Sequence, residues 1–106
     1  MISILLVTHG QLAKAFIECA EQILGKVEVI AAVSIDAKDN HEIALERIKD
    51  SIRALDSKEG TLILTDMFGG TPSNLALSFL KEGEIEVVTG VNLPMLIKLA
   101  SLREEM

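Results

Sequence analysis

The stretch Ser3-Ile4-Leu5-Leu6-Val7-Thr8-His9-Gly10 sets four consecutive aliphatic residues between two hydroxyl side chains and closes on a histidine and a glycine. An unbroken apolar run of this length fits a strand buried on both faces, as in a parallel sheet with helices on each side. The strand therefore carries His9 to its own carboxyl end. In open parallel α/β sheets, ligands and chemistry collect beyond the carboxyl ends of the strands. His9 is a candidate on position alone, although a histidine ending a strand packs or caps as readily as it reacts.

Outward from this strand, Leu12, Phe16, Ala20, Ile23 and Leu24 recur every three or four residues and predict a helix over 11–24, stopped by Gly25. Cys19 falls near that stripe and is expected to be a small buried hydrophobe. Val27 to Ile35 is rich in β-branched residues and predicts a second strand. A polar turn follows, with Asp39 or Asn40 as the cap of a helix from about His41 to Leu55, whose apolar face is Ala44, Leu45, Ile48, Ile52 and Leu55. His41 heads that helix in a solvated or capping role.

Thr61 to Thr65 predicts a third strand, opening into Asp66-Met67-Phe68-Gly69-Gly70-Thr71-Pro72-Ser73-Asn74. Thr71 reads as an N-cap and Pro72 as the first residue of a helix reaching about Leu80. Ile85 to Thr89 is the fourth strand, followed by Gly90-Val91-Asn92-Leu93 and a helix from Pro94, with Asn92 as its cap. The expected fold is a single α/β domain over residues 1–106. Its open parallel sheet is doubly wound, with four strands in the order 2-1-3-4 and helices on both faces.

A chain of 106 residues supports one hydrophobic core. No apolar run reaches the roughly 20 residues needed to cross a bilayer, so a cytoplasmic protein is expected. The net charge of −6, with ten scattered basic residues, argues against nucleic acid as a partner. A single cysteine excludes an internal disulfide, and His9, Cys19 and His41 lack zinc-ligand spacing.

In the 2-1-3-4 order, strands one and three are neighbours at the topological switch point, which sets His9 opposite Asp66. A carboxylate that accepts from Nδ1 fixes the tautomer and leaves the Nε2 lone pair free to attack. The amides of Gly69, Gly70 and Thr71, ahead of a helix, suit an incoming phosphate, with Gly10 and the next helix start as a second set. One nucleophile, one orienting carboxylate and a nest of amides suffice for phosphoryl transfer. Met67 and Phe68 either form an exposed apolar lip for a partner or pack into the core.

With these motifs in place, the chain resembles the mannose-type enzyme IIA domain of the bacterial phosphoenolpyruvate-dependent sugar phosphotransferase system. The resemblance rests on Thr8-His9-Gly10, on Asp66 to Asn74 and on Gly90-Val91-Asn92-Leu93-Pro94-Met95-Leu96, in that order. It implies that His9 takes a phosphoryl group on Nε2 from the phosphocarrier protein HPr and passes it to a IIB domain. Asp66 would orient His9, and the loop from Phe68 to Thr71 would hold the phosphate. Neither a metal nor an organic cofactor is implied. The membrane IIC and IID components would be met only indirectly. Such domains usually form a homodimer through an exchanged antiparallel C-terminal strand, which these 106 residues do not reach, so a weakened or absent dimer is expected.

Two other readings use the same histidine. A histidine-phosphatase-like hydrolase needs an arginine before it, where Thr8 stands, and Arg47, Arg53 and Arg103 all fall in or near helices. A regulatory module, in which phosphorylated His9 signals to another protein, would share the site. No Trp or Tyr is present to stack on a flavin, and no phosphate-loop or dinucleotide glycine pattern follows the first strand.

Overall fold

A computed structural model describes residues 1–105. Strands and helices alternate: β1 (Ser3–His9), α1 (Leu12–Leu24), β2 (Ile30–Ile35), α2 (His41–Leu55), β3 (Thr61–Thr65), α3 (Thr71–Leu77), β4 (Ile85–Thr89) and α4 (Leu93–Glu104). The four strands form one sheet in the order β2-β1-β3-β4. Every neighbouring pair is parallel, with Leu6 opposite Ala32 on one side and Leu64 on the other. The expected architecture and strand order are those observed.

Because side chains alternate along a strand, β1 feeds two cores. Ile4 and Leu6 pack with Ala13, Ala20, Leu64, Leu96 and Ala100 under α1 and α4. Leu5 and Val7 pack with Val33, Ala44, Ile48, Ile63 and Leu75 under α2 and α3. All four aliphatic residues of β1 are at most 1% exposed, which is why this strand lacks polar alternation. No helix among the described residues is long and apolar enough to cross a membrane.

Several boundaries differ from expectation for local reasons. β2 begins at Ile30 rather than Val27 because Val29 takes a left-handed φ of +51°, which a β-branched residue rarely adopts and which breaks the strand. The Val29 carbonyl accepts from the Ile4 amide and from the Arg103 guanidinium. Arg103, buried on α4, also donates to the carbonyls of Ile2 and Glu28, tying the last helix to the amino edge of the sheet.

α3 ends at Leu77, short of Leu80, because Ser78, Phe79 and Leu80 donate three residues back rather than four, tightening the chain out of the helix. Its N-cap is Gly70, not Thr71: Gly70 is extended, so Thr71 is the first helical residue and Pro72 the second. Asn40 and Asn92 cap α2 and α4, their side chains accepting from Glu42, Ile43 and Met95 amides. His41 is exposed at the head of α2.

Cys19 is exposed rather than buried. The buried face of α1 is centred on Ala13, Phe16, Ile17 and Ala20, and Cys19 lies about 100° of arc away from it. Leu12 and Ile23 turn outward for the same reason.

Candidate active site

His9 ends β1 and Asp66 follows β3, and these two strands are hydrogen-bonded neighbours from which the chain winds outward in both directions. That puts both residues at the switch point of the sheet, on its carboxyl edge. His9 Nδ1 lies 2.8 Å from Asp66 Oδ2. The same oxygen accepts from the His9 main-chain amide at 3.0 Å, while Oδ1 accepts from the Met67 amide at 3.0 Å. One carboxylate therefore grips the histidine by both its backbone and its ring.

The Asp66 side chain is 12% exposed and the His9 side chain 49% exposed. Burial alone would raise the Asp66 pKa. The hydrogen bonds from the His9 ring and amide, together with attraction to the His9 charge, outweigh it and hold the carboxyl below its ordinary value of 3.8. Asp66 is thus ionised near neutral pH. An ionised carboxylate only accepts hydrogen bonds, so the ring proton of a neutral His9 sits on Nδ1 and the lone pair on Nε2.

The turn from β1 into α1 is made by Gly10, whose φ of +52° suits glycine and whose amide donates to the Ile35 carbonyl at 3.0 Å. Thr8 is fully buried beneath it. Its hydroxyl accepts from the Ala13 amide at 2.7 Å and donates to the His9 carbonyl at 3.3 Å. This supplies the first turn of α1 with the side-chain acceptor that its N-cap, Gln11, does not provide.

Across the crevice, the loop from Asp66 to Gly70 folds over the ring. Gly69 lies in a left-handed turn, and Gly70 runs against His9 so closely that a Cβ on it would stand 2.8 Å from His9 Cε1 and 3.2 Å from Nε2. Thr71 opens α3 directly behind. Phe68 is 75% exposed and Met67 56% exposed, so their side chains form an exposed apolar lip rather than core. Any part of Phe68 in holding a phosphate would fall to its backbone.

The structure therefore brings His9, Gly10, Asp66, Gly69, Gly70 and Thr71 to one edge, with the Phe68 side chain turned to solvent. Among the described residues, no group of three or more His, Cys, Asp or Glu is placed to hold a metal ion. Two features went unread in the sequence. The Thr8 brace had a signal in a hydroxyl lying just before a glycine and a helix start. The contact of Gly70 with His9 had none, because closeness between two loops is set by the sheet order.

The family model described as "PTS system fructose IIA component" (EIIA-man) matches residues 3–106. The PTS system fructose-specific EIIA component of Bacillus subtilis (strain 168) is 33% identical over 107 residues, covering 100% of this chain and 73% of that protein. The PTS system mannose-specific EIIAB component of Escherichia coli (strain K12) is 33% identical over 105 residues, 98% of this chain and 32% of that protein, so the chain spans about a third of this relative's length. Among solved structures, phosphotransferase system component EIIA from Streptococcus agalactiae superposes with a TM-score of 0.87 at 27% identity, covering 100% of this chain and 82% of that one.

Proposed function

The chain belongs to the mannose-type family of phosphotransferase-system IIA components, and from that premise we propose that His9 is its phosphoryl acceptor, charged on Nε2 by phospho-HPr and discharged to a IIB domain. The observation that carries this reading is the 2.8 Å contact of Asp66 with Nδ1, which leaves the other ring nitrogen as a lone pair facing the loop that ends at Gly70.

In the transfer, a bond forms between Nε2 and phosphorus as the nitrogen–phosphorus bond of the donor breaks, and the donor imidazole keeps the electron pair. The acceptor ring gains positive character while its proton stays on Nδ1, where ionised Asp66 opposes the new charge. Backbone amides of Gly69, Gly70 and Thr71 face the phosphoryl oxygens in this reading, whereas the Gly10 amide, expected from the sequence to join them, is already given to the Ile35 carbonyl. Donor and acceptor are both phosphohistidines, so the step runs near balance and reverses readily toward the next partner. On this reading the protein works in the cytoplasm, meets only other proteins and never the sugar.

The hydrolase alternative loses support from the arginines. The Arg103 guanidinium is held by carbonyls at the amino edge of the sheet, and that of Arg47 by the Ser34 carbonyl and Asp39. Incubation with phosphoenolpyruvate, enzyme I and HPr, followed by intact mass measurement, tests the proposal. An acid-labile, alkali-stable adduct is expected on the wild type and none on His9→Ala. An unmodified wild type, or an equally modified His9→Ala, overturns it.

A further inference from the structure

We propose that Gly70 is a positioning residue for His9: its lack of a side chain lets the β3–α3 loop close on the Cε1–Nε2 edge of the imidazole while Asp66, from the same loop, holds Nδ1. The kinetic part of this proposal rests on the phosphoryl-acceptor reading above. The steric part stands without it.

Glycine at this position is not explained by backbone conformation. Gly70 has φ −83° and ψ 168°, an extended geometry open to any residue. Space explains it instead. A methyl carbon built on Gly70 would meet His9 Cε1 at 2.8 Å and Nε2 at 3.2 Å, with Met67 Cγ at 3.7 Å. The first distance is inside van der Waals contact and one of the two groups must give way. The yielding group is the ring, the free end of a side chain, since the Gly70 backbone is committed to starting α3 and its carbonyl accepts from the Asn74 amide at 3.0 Å.

The ring cannot move without loss, because Nδ1, bonded directly to the crowded Cε1, is held by Asp66. Rotation away from an added methyl displaces Nδ1 from Asp66 and turns Nε2 with it. Asp66 and Gly70 thus constrain adjacent atoms of the imidazole, one by a polar bond at Nδ1 and the other by close approach of bare backbone at Cε1.

Gly70→Ala tests the proposal, made both in the wild-type chain and in His9→Ala. With His9 present, the ¹⁵N signature of the His9 imidazole should lose its Nδ1-protonated, Asp66-bonded form, and transfer from phospho-HPr should fall by about tenfold or more. In the His9→Ala background the same change should leave the melting temperature unchanged or raise it, since alanine fits the backbone and restricts the unfolded chain. A protein that fails to fold only when His9 is present shows the same clash.

An unchanged imidazole signature in Gly70→Ala overturns the proposal. So does an equal loss of melting temperature in both backgrounds, which would make the requirement one of backbone. A wild type that takes no phosphate, while Gly70→Ala still displaces the ring, would sink the phosphoryl reading and leave the steric role standing.

Discussion

Replacing Asp66 with asparagine keeps the shape of the side chain and removes its charge and one of its two acceptors. In the wild type Oδ2 accepts from the His9 amide and from Nδ1, and Oδ1 accepts from the Met67 amide. Asparagine must point its NH2 toward one of these sets. Facing His9, it opposes the main-chain donor and can pair with the ring only if Nδ1 becomes the acceptor, which moves the ring proton to Nε2. Facing Met67, it opposes a backbone amide instead.

A hydrogen bond involving a charged group contributes about 1.5–3 kcal/mol. Because His9 is half exposed, solvent screens the pair, and a stability loss of about 1–2 kcal/mol is expected, or roughly 4–8 °C in melting temperature per kcal/mol. With His9 as the phosphoryl acceptor proposed above, the rate responds to the tautomer. Losing about 1–2 kcal/mol of bias toward a free Nε2 slows transfer by about 5- to 30-fold. Single-turnover transfer from labelled phospho-HPr measures this, with ¹⁵N spectra of the imidazole reporting the proton position. A variant that transfers within about twofold of wild type, with Nε2 still unprotonated, would refute the role given to Asp66.

Three further outcomes follow from the geometry. Thr8→Val removes the buried acceptor of the Ala13 amide while nearly keeping volume, and should cost about 1–2 kcal/mol in thermal unfolding; an unchanged midpoint would show that α1 needs no brace. Arg103→Met leaves the carbonyls of Ile2 and Glu28 without that donor and Val29 with only the Ile4 amide, for a loss of about 2–4 kcal/mol and about 10–25 °C in melting temperature. A stable Arg103→Met would make the buried guanidinium dispensable. Because the folded-state pKa of Asp66 is depressed, its ionisation stabilises the protein above the ordinary value of 3.8, and that contribution is lost as pH falls through the folded value. The gap in urea midpoint between wild type and Asp66→Asn should therefore be constant near about pH 6 and narrower near about pH 3. A gap that does not narrow would contradict the depressed pKa.

Much of this was legible from residue pattern. The four aliphatic residues of β1 specify burial on both faces, and alternation of β-branched runs with helical stripes gives the element order. Sheet order then brings residues 9 and 66 together although 57 positions separate them. What the pattern hid was short-range and steric. Val29 sits inside an apolar β-branched run, yet its left-handed backbone delays β2, and the restraint includes Arg103 from the far end of the chain. Cys19 and Ile23 looked like part of a stripe because several apolar residues of α1 lie off its buried face. Periodicity cannot choose among overlapping stripes, whereas packing can.

The separation between frame and site follows from the length of β1. Arg103 secures the amino edge, at Ile2 and Val29, while Asp66 and Gly70 act at the carboxyl edge, around His9. The seven residues of β1, Ser3 to His9, span about 20 Å at the usual rise, which exceeds the roughly 7–10 Å over which side chains couple directly. Ser3 to Thr8 are buried and close-packed along that distance, so β1 fixes where His9 begins without choosing how its ring turns. That choice belongs to the five residues from Asp66 to Gly70. A loop that both bonds Nδ1 and crowds Cε1 determines a ring orientation that neither contact would impose alone, and it does so on a half-exposed side chain. Fold and ring orientation are in this sense set by different residues, and substitutions in the loop alter the second while leaving the first intact.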